Sequence, residues 1–128
     1  MSILKSINPA TEELFAEFKD INLFAAKKII IDSSNKQREW SDFKIEKRID
    51  IISDVAKMLK GNSREHAEII TAEMGKPITE AIAEIEKCVW LCEYYIENSI
   101  DFLRDKSLNS NAVKSFSSYE PLGLIFGV

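Results

Sequence analysis

The chain has 128 residues, 45% of them hydrophobic and 30% charged, with 17 Lys and Arg against 21 Asp and Glu for a net charge of −4. That length suits one domain with a core and is too short for two. The longest aliphatic run before the C-terminal stretch is Ile29-Ile30-Ile31, far short of a membrane span, and the charges alternate along the chain, whereas nucleic-acid binding needs a concentrated basic face.

Met1 to Lys5 lacks the basic start and apolar core of a secretory signal, so a cytoplasmic protein is expected, with neither membrane nor nucleic acid as a partner. Ser6 to Glu12 has turn chemistry between two roughly alternating runs, Ser2 to Ile7 and Leu14 to Phe18, which predicts a β-hairpin or extended arm over residues 1–20. The helical region is expected to fill residues 22–105. It opens at Asn22 as an N-cap, with Leu23, Phe24, Ala26, Ile30 and Ile31 at helical spacing to about Ser33, and a loop from Ser34 to Ser41 carrying Trp40.

Ile45, Ile49, Ile52, Ala56 and Leu59 then form one apolar stripe on a helix that stops at Gly61. Ser63 is a candidate cap for the next helix, with Ala67, Ile70 and Met74 inward and Gly75 at its end. Pro77 suits the first turn of a fourth helix, the longest element, whose face runs through Ile78, Ala81, Ile82, Ile85, Cys88, Val89, Cys92, Tyr95, Ile96, Ser99, Phe102 and Leu103. After a polar loop, Lys106 to Asn111, strands are expected over residues 113–128, ending in the apolar run Leu122 to Val128. A domain rarely ends inside such a run, so the sequence reads as the front of something longer.

The residue types that carry chemistry do not assemble along the chain. Cys88 and Cys92 lie one turn apart on the predicted core face, where free cysteine packs as a small hydrophobe; a structural zinc site wants four ligands, and the lone His66 is on another helix. His66, beside Glu65 and Glu68, reads as solvated. Glu80 and Glu84, with Glu73 and Glu86 nearby, alternate with Lys76 and Lys87 and read as a wet helix face in preference to an acid–base pair. Gly123 and Gly127 precede no helix and make no phosphate loop. Trp40, Trp90, Tyr94 and Tyr95 could wall a ligand, but aromatics at helical spacing are usually core or partner contacts. The expectation is a mainly α, four-helix module with an N-terminal β-hairpin and one or two unpaired C-terminal strands, and no catalytic, cofactor-binding or metal residue assigned.

The sequence also resembles a family. Ile7-Asn8-Pro9-Ala10-Thr11-Glu12-Glu13 is similar to the opening of the aldehyde dehydrogenases. Glu73-Met74-Gly75-Lys76-Pro77-Ile78, followed by Glu80-Ala81 and Glu84-Ile85, resembles the segment before their long helix, and Tyr119 to Val128 resembles the run into their first nucleotide-domain strand. Trp40, Arg48, Ala56 and Leu59 fall where the family pattern places them. Within the family the likeness is nearest to the succinate-semialdehyde dehydrogenases.

The resemblance implies NAD(P)-dependent oxidation of an aldehyde to an acid by a Cys nucleophile, a Glu base and an Asn oxyanion donor. All of these lie later in the family's longer chains, as does the nucleotide-binding Pro-Trp-Asn motif. Cys88 and Cys92 match none of it. The expectation is thus the N-terminal fragment of an aldehyde dehydrogenase α/β fold, inactive alone, binding no cofactor itself while NAD or NADP serves the complete enzyme. Its helices would pack on the nucleotide-binding domain, Ser115 to Glu120 would belong to the oligomer-forming region, and Tyr94 to Ser99 would approach the substrate channel's mouth. Expected partners are a second copy, through exposed apolar faces, or a C-terminal companion chain. The alternative is a standalone helical module for self-association or protein interaction.

Overall fold

The computed structural model describes residues 3–127. Strands β1 (Ile3–Ile7) and β2 (Leu14–Lys19) pair antiparallel from Ile3↔Lys19 to Ile7↔Leu14, with a register shift at Ser6/Ile7. The turn follows from Asn8, whose Oδ1 accepts from the Ala10 N–H at 2.9 Å while its main chain bonds Glu12 and Glu13. Glu12 takes the left-handed conformation at φ 61°. This is the expected hairpin; Met1 and Ser2 of the predicted arm lie outside the described residues.

Helix α1 (Leu23–Ser41) starts where expected, with Asn22 Oδ1 accepting the Ala25 N–H at 2.8 Å. It does not end at Ser33. The predicted loop Ser34 to Ser41 is two more turns of helix, because nothing between Ser34 and Trp40 breaks one, the exposed Lys36 and Glu39 pair at 2.7 Å, and Trp40 anchors the end on α2 and α4.

Helices α2 (Ile45–Gly61), α3 (Ser63–Met74) and α4 (Ile78–Leu103) follow the apolar periodicity. Two start signals are displaced by one residue. Asn62, not Ser63, holds the N-cap of α3, and its side chain caps nothing there, donating instead to the Met58 carbonyl at 3.0 Å. Pro77 stands just ahead of the first turn of α4, its carbonyl accepting from Glu80 and Ala81. Gly75 ends α3 in the left-handed conformation, φ 72°.

Helix α4 is the spine, packed against both α2 and α3, which scarcely meet each other. Among the described residues the buried apolar core is Ala56, Ala67, Ala81, Ile85 and Val89. Three of these are alanines, and Ala67 and Ala81 are 0% exposed, so small side chains let α3 and α4 approach closely. Met74, expected to face inward, is exposed at the last position of α3. The hairpin and α1 add nothing to this core.

Beyond α4, the predicted polar loop begins as a strand: β3 (Lys106–Ser107) pairs antiparallel with β4 (Phe116–Ser117). These strands are paired, against expectation. Of residues 113–128 only β4 is a strand; from Pro121 to Gly127 the chain has no regular structure, with Leu122 94% and Phe126 88% exposed, and Val128 lies outside the described residues. An apolar run becomes a buried strand only when a neighbouring strand takes its main-chain donors and acceptors.

Surface area states the result in one number. A compact monomer of 14.6 kDa exposes roughly 6,900 Å². This chain exposes 10,705 Å².

Candidate functional site

The residues with catalytic potential stay apart. Cys88 is exposed on α4 and Cys92 half-buried, both free, so the expectation that both pack in the core fails for Cys88, since no neighbour covers that flank of α4. His66 is half-buried on α3. Glu84 accepts from Lys76, whose ammonium is held above its ordinary value of 10.5 chiefly by that hydrogen bond, with the charges of Glu84 and Glu80 adding to it against an opposing effect of burial. Glu86 edges a shallow hollow with Trp90 and Glu93, and among the described residues no three metal-ligating side chains converge. Gly123, at φ 99°, stands in the irregular tail. No described helix is long and apolar enough to cross a membrane.

The structure does bring together two motifs distant in sequence. The hairpin turn lands on the α3–α4 junction: Ser6 Oγ donates to Glu73 Oε1 at 3.0 Å, and the Pro9 ring lies over Gly75. A Cβ on Gly75 would stand 2.9 Å from Pro9 Cγ, so glycine is required here for room as well as for φ. In the cleft between Asn8, Ala10 and Ile78, the Thr71 hydroxyl is buried without a hydrogen-bond partner. Replacing Thr71 with valine is expected to leave stability unchanged or raise it by up to about 1 kcal/mol, since an unsatisfied polar atom is removed at nearly constant shape; urea unfolding followed by circular dichroism reads the change.

The four aromatics proposed as one wall turn to two sides of α4, with Tyr94 and Tyr95 still meeting edge to face at 5.5 Å between ring centroids. Trp90, Tyr94 and Phe102 form an exposed ladder on α4, with Tyr94 5.9 Å from Phe102 and 6.4 Å from Trp90 between ring centroids. Trp40 and Tyr95 instead line a hollow of about 170 Å³ between the end of α1, α2 and α4, with Ile49, Ile96, Ser99 and Arg48. Arg48 sits one turn after Ile45, within the apolar stripe of α2, and its Nε is buried without a partner. Sequence reading weighed no chemistry for it, although a guanidinium inside an apolar stripe was the available signal.

A second, larger hollow of about 470 Å³ runs between the inner face of α1 (Ala26, Ile29, Ile30) and the tail (Leu124, Ile125, Phe126). Its walls carry no charge. With Ile29, Ile30, Ile125 and Phe126 all exposed, the molecule presents an uncovered apolar surface of the kind that marks an interface.

Comparison with known proteins gives this surface a context. The protein-family model described as the aldehyde dehydrogenase family matches residues 2–128. A succinate semialdehyde dehydrogenase [NAD(P)+] of Escherichia coli is 32% identical over 123 residues, covering 96% of this chain and 27% of the relative. A probable succinate-semialdehyde dehydrogenase [NADP(+)] of Synechocystis is 40% identical over 73 residues, 57% of this chain and 16% of the relative. Among solved structures, succinic semialdehyde dehydrogenase from Streptococcus pyogenes, in complex with NADP+, superposes with a TM-score of 0.81 at 25% identity over 88% of this chain and 25% of that one. The chain spans about a quarter of the length of the relatives it matches.

Proposed function

The chain belongs to the aldehyde dehydrogenase family, and from that premise we propose that it is the N-terminal helical part of a succinate-semialdehyde-dehydrogenase-like enzyme that oxidises an aldehyde to a carboxylic acid with NAD or NADP. The observation that carries this reading is the match of nearly the whole chain to about a quarter of such an enzyme. Its part in the reaction is to dock. The uncovered faces of α1, α4 and the tail are the surfaces on which the rest of the enzyme would pack.

The nucleophile, the base and the nucleotide site belong to that remainder. Among the described residues Gly123 stands in the irregular tail and leads into no helix. Cys88 and Cys92 are free thiols, and among the described residues no hydrogen bond joins either to a basic side chain. Two unbridged cysteines suit a cytoplasmic setting. The test is a graft in which this chain replaces the matched segment of the Escherichia coli relative. Aldehyde-dependent reduction of NAD or NADP by the graft, and none by the chain alone, is the expected pair of results.

A second reading, a self-associating helical module, is favoured by the same uncovered surface when the chain is alone. Large exposed apolar patches are rare on monomers. Sedimentation at micromolar concentration is expected to give a species of at least two copies; a single monomeric boundary at that concentration rejects this reading.

A further inference from the structure

The hollow around Arg48 places a cationic side chain, with a buried Nε, among mostly apolar walls. Its walls are the apolar side chains Trp40, Ile45, Ile49, Ile96 and Leu103, with Tyr95 and Ser99 at the α4 side. Ser99 spends its hydroxyl on the Tyr95 carbonyl, one turn back in the same helix. Among the described residues no ion pair or hydrogen bond involves the half-buried Arg48 side chain, and its Nε is sealed from water. A buried N–H without an acceptor is unfavourable, the more so on a charged group, and most such donors in folded proteins are satisfied.

We propose that this hollow is an anchoring socket for the rest of the enzyme, and that the covering polypeptide inserts a hydrogen-bond acceptor, a carboxylate or main-chain carbonyl flanked by apolar side chains, onto the guanidinium of Arg48. The inference rests on the docking reading above and names the chemistry of one docking point. The unpaired cation selects an acceptor in place of another apolar side chain, and the volume of about 170 Å³ limits the insert to one or two side chains. Arg48 is then a positioning residue of the assembly: it holds the α2–α4 pair against the covering domain and touches no reacting atom.

The proposal makes an unusual demand on one substitution. Arg48→Met keeps the length of the side chain and removes the orphaned donor, so in the chain alone it should leave the thermal midpoint and the helical signal unchanged or slightly raised. In the graft onto the Escherichia coli relative, where the acceptor would be present, the same substitution should lower the midpoint by roughly 3 °C or more. Arg48→Lys keeps the charge without the planar fork and should recover only part of that loss. Equal loss in the chain and in the graft would make Arg48 an internal prop and overturn the socket, as would a graft indifferent to Arg48→Met. A parent graft that neither melts cooperatively nor turns over would remove the docking reading itself, and the socket with it.

Discussion

Replacing Gly75 with alanine is expected to destabilise the fold by about 2 kcal/mol or more, out of a total at the low end of the usual range of roughly 5–15 kcal/mol. Two effects add. The left-handed backbone at φ 72° is disfavoured for an L side chain by roughly 1–2 kcal/mol, and the new Cβ would lie 2.9 Å from Pro9 Cγ, an overpacking that typically costs about 1–3 kcal/mol. Relief by movement of Pro9 would lift the hairpin off the α3–α4 junction and strain the Ser6–Glu73 hydrogen bond. Gly61 is the control: an added Cβ there meets nothing within 4 Å, so Gly61→Ala should be neutral or slightly stabilising. Urea midpoints by circular dichroism that move equally for the two variants would contradict this account of the junction.

That junction also shows what the sequence could and could not reveal. Asn8-Pro9 and Gly75-Lys76-Pro77 read plainly as turn and cap chemistry, each from its own neighbours. Their meeting depends on how the hairpin folds back over α3, which no local pattern encodes. Helices α2, α3 and α4 were legible because their apolar residues recur every three or four positions and glycine marks two of the ends. The second half of α1 was not, because Ser34, Asn35 and Lys36 are turn-forming or polar residues, and only the absence of glycine and proline betrays the helix. For Cys88 the helical face was read correctly and its covering was not, since burial requires a neighbour that this stretch of α4 lacks. The tail is the sharpest case: its apolar character was evident, but among the described residues Leu122 to Gly127 have no strand to pair with and take no regular structure.

The second large effect is catalytic, and it follows from the division of labour between this chain and the rest of the enzyme. On the proposed reading the chain alone supplies no transition-state stabilisation, and joined to the remaining three quarters of a relative it is expected to restore turnover in the range typical of enzymes, about 1–1,000 per second. Succinate semialdehyde is the substrate to try first, because the Escherichia coli and Streptococcus relatives are named for it.

The most direct test is the aldehyde-dependent appearance of NADH or NADPH with the purified chain and, side by side, with the chain grafted in place of the matched segment of the Escherichia coli enzyme. The account predicts a rate indistinguishable from buffer for the chain alone and measurable turnover for the graft. Aldehyde-dependent reduction by the chain alone would contradict it.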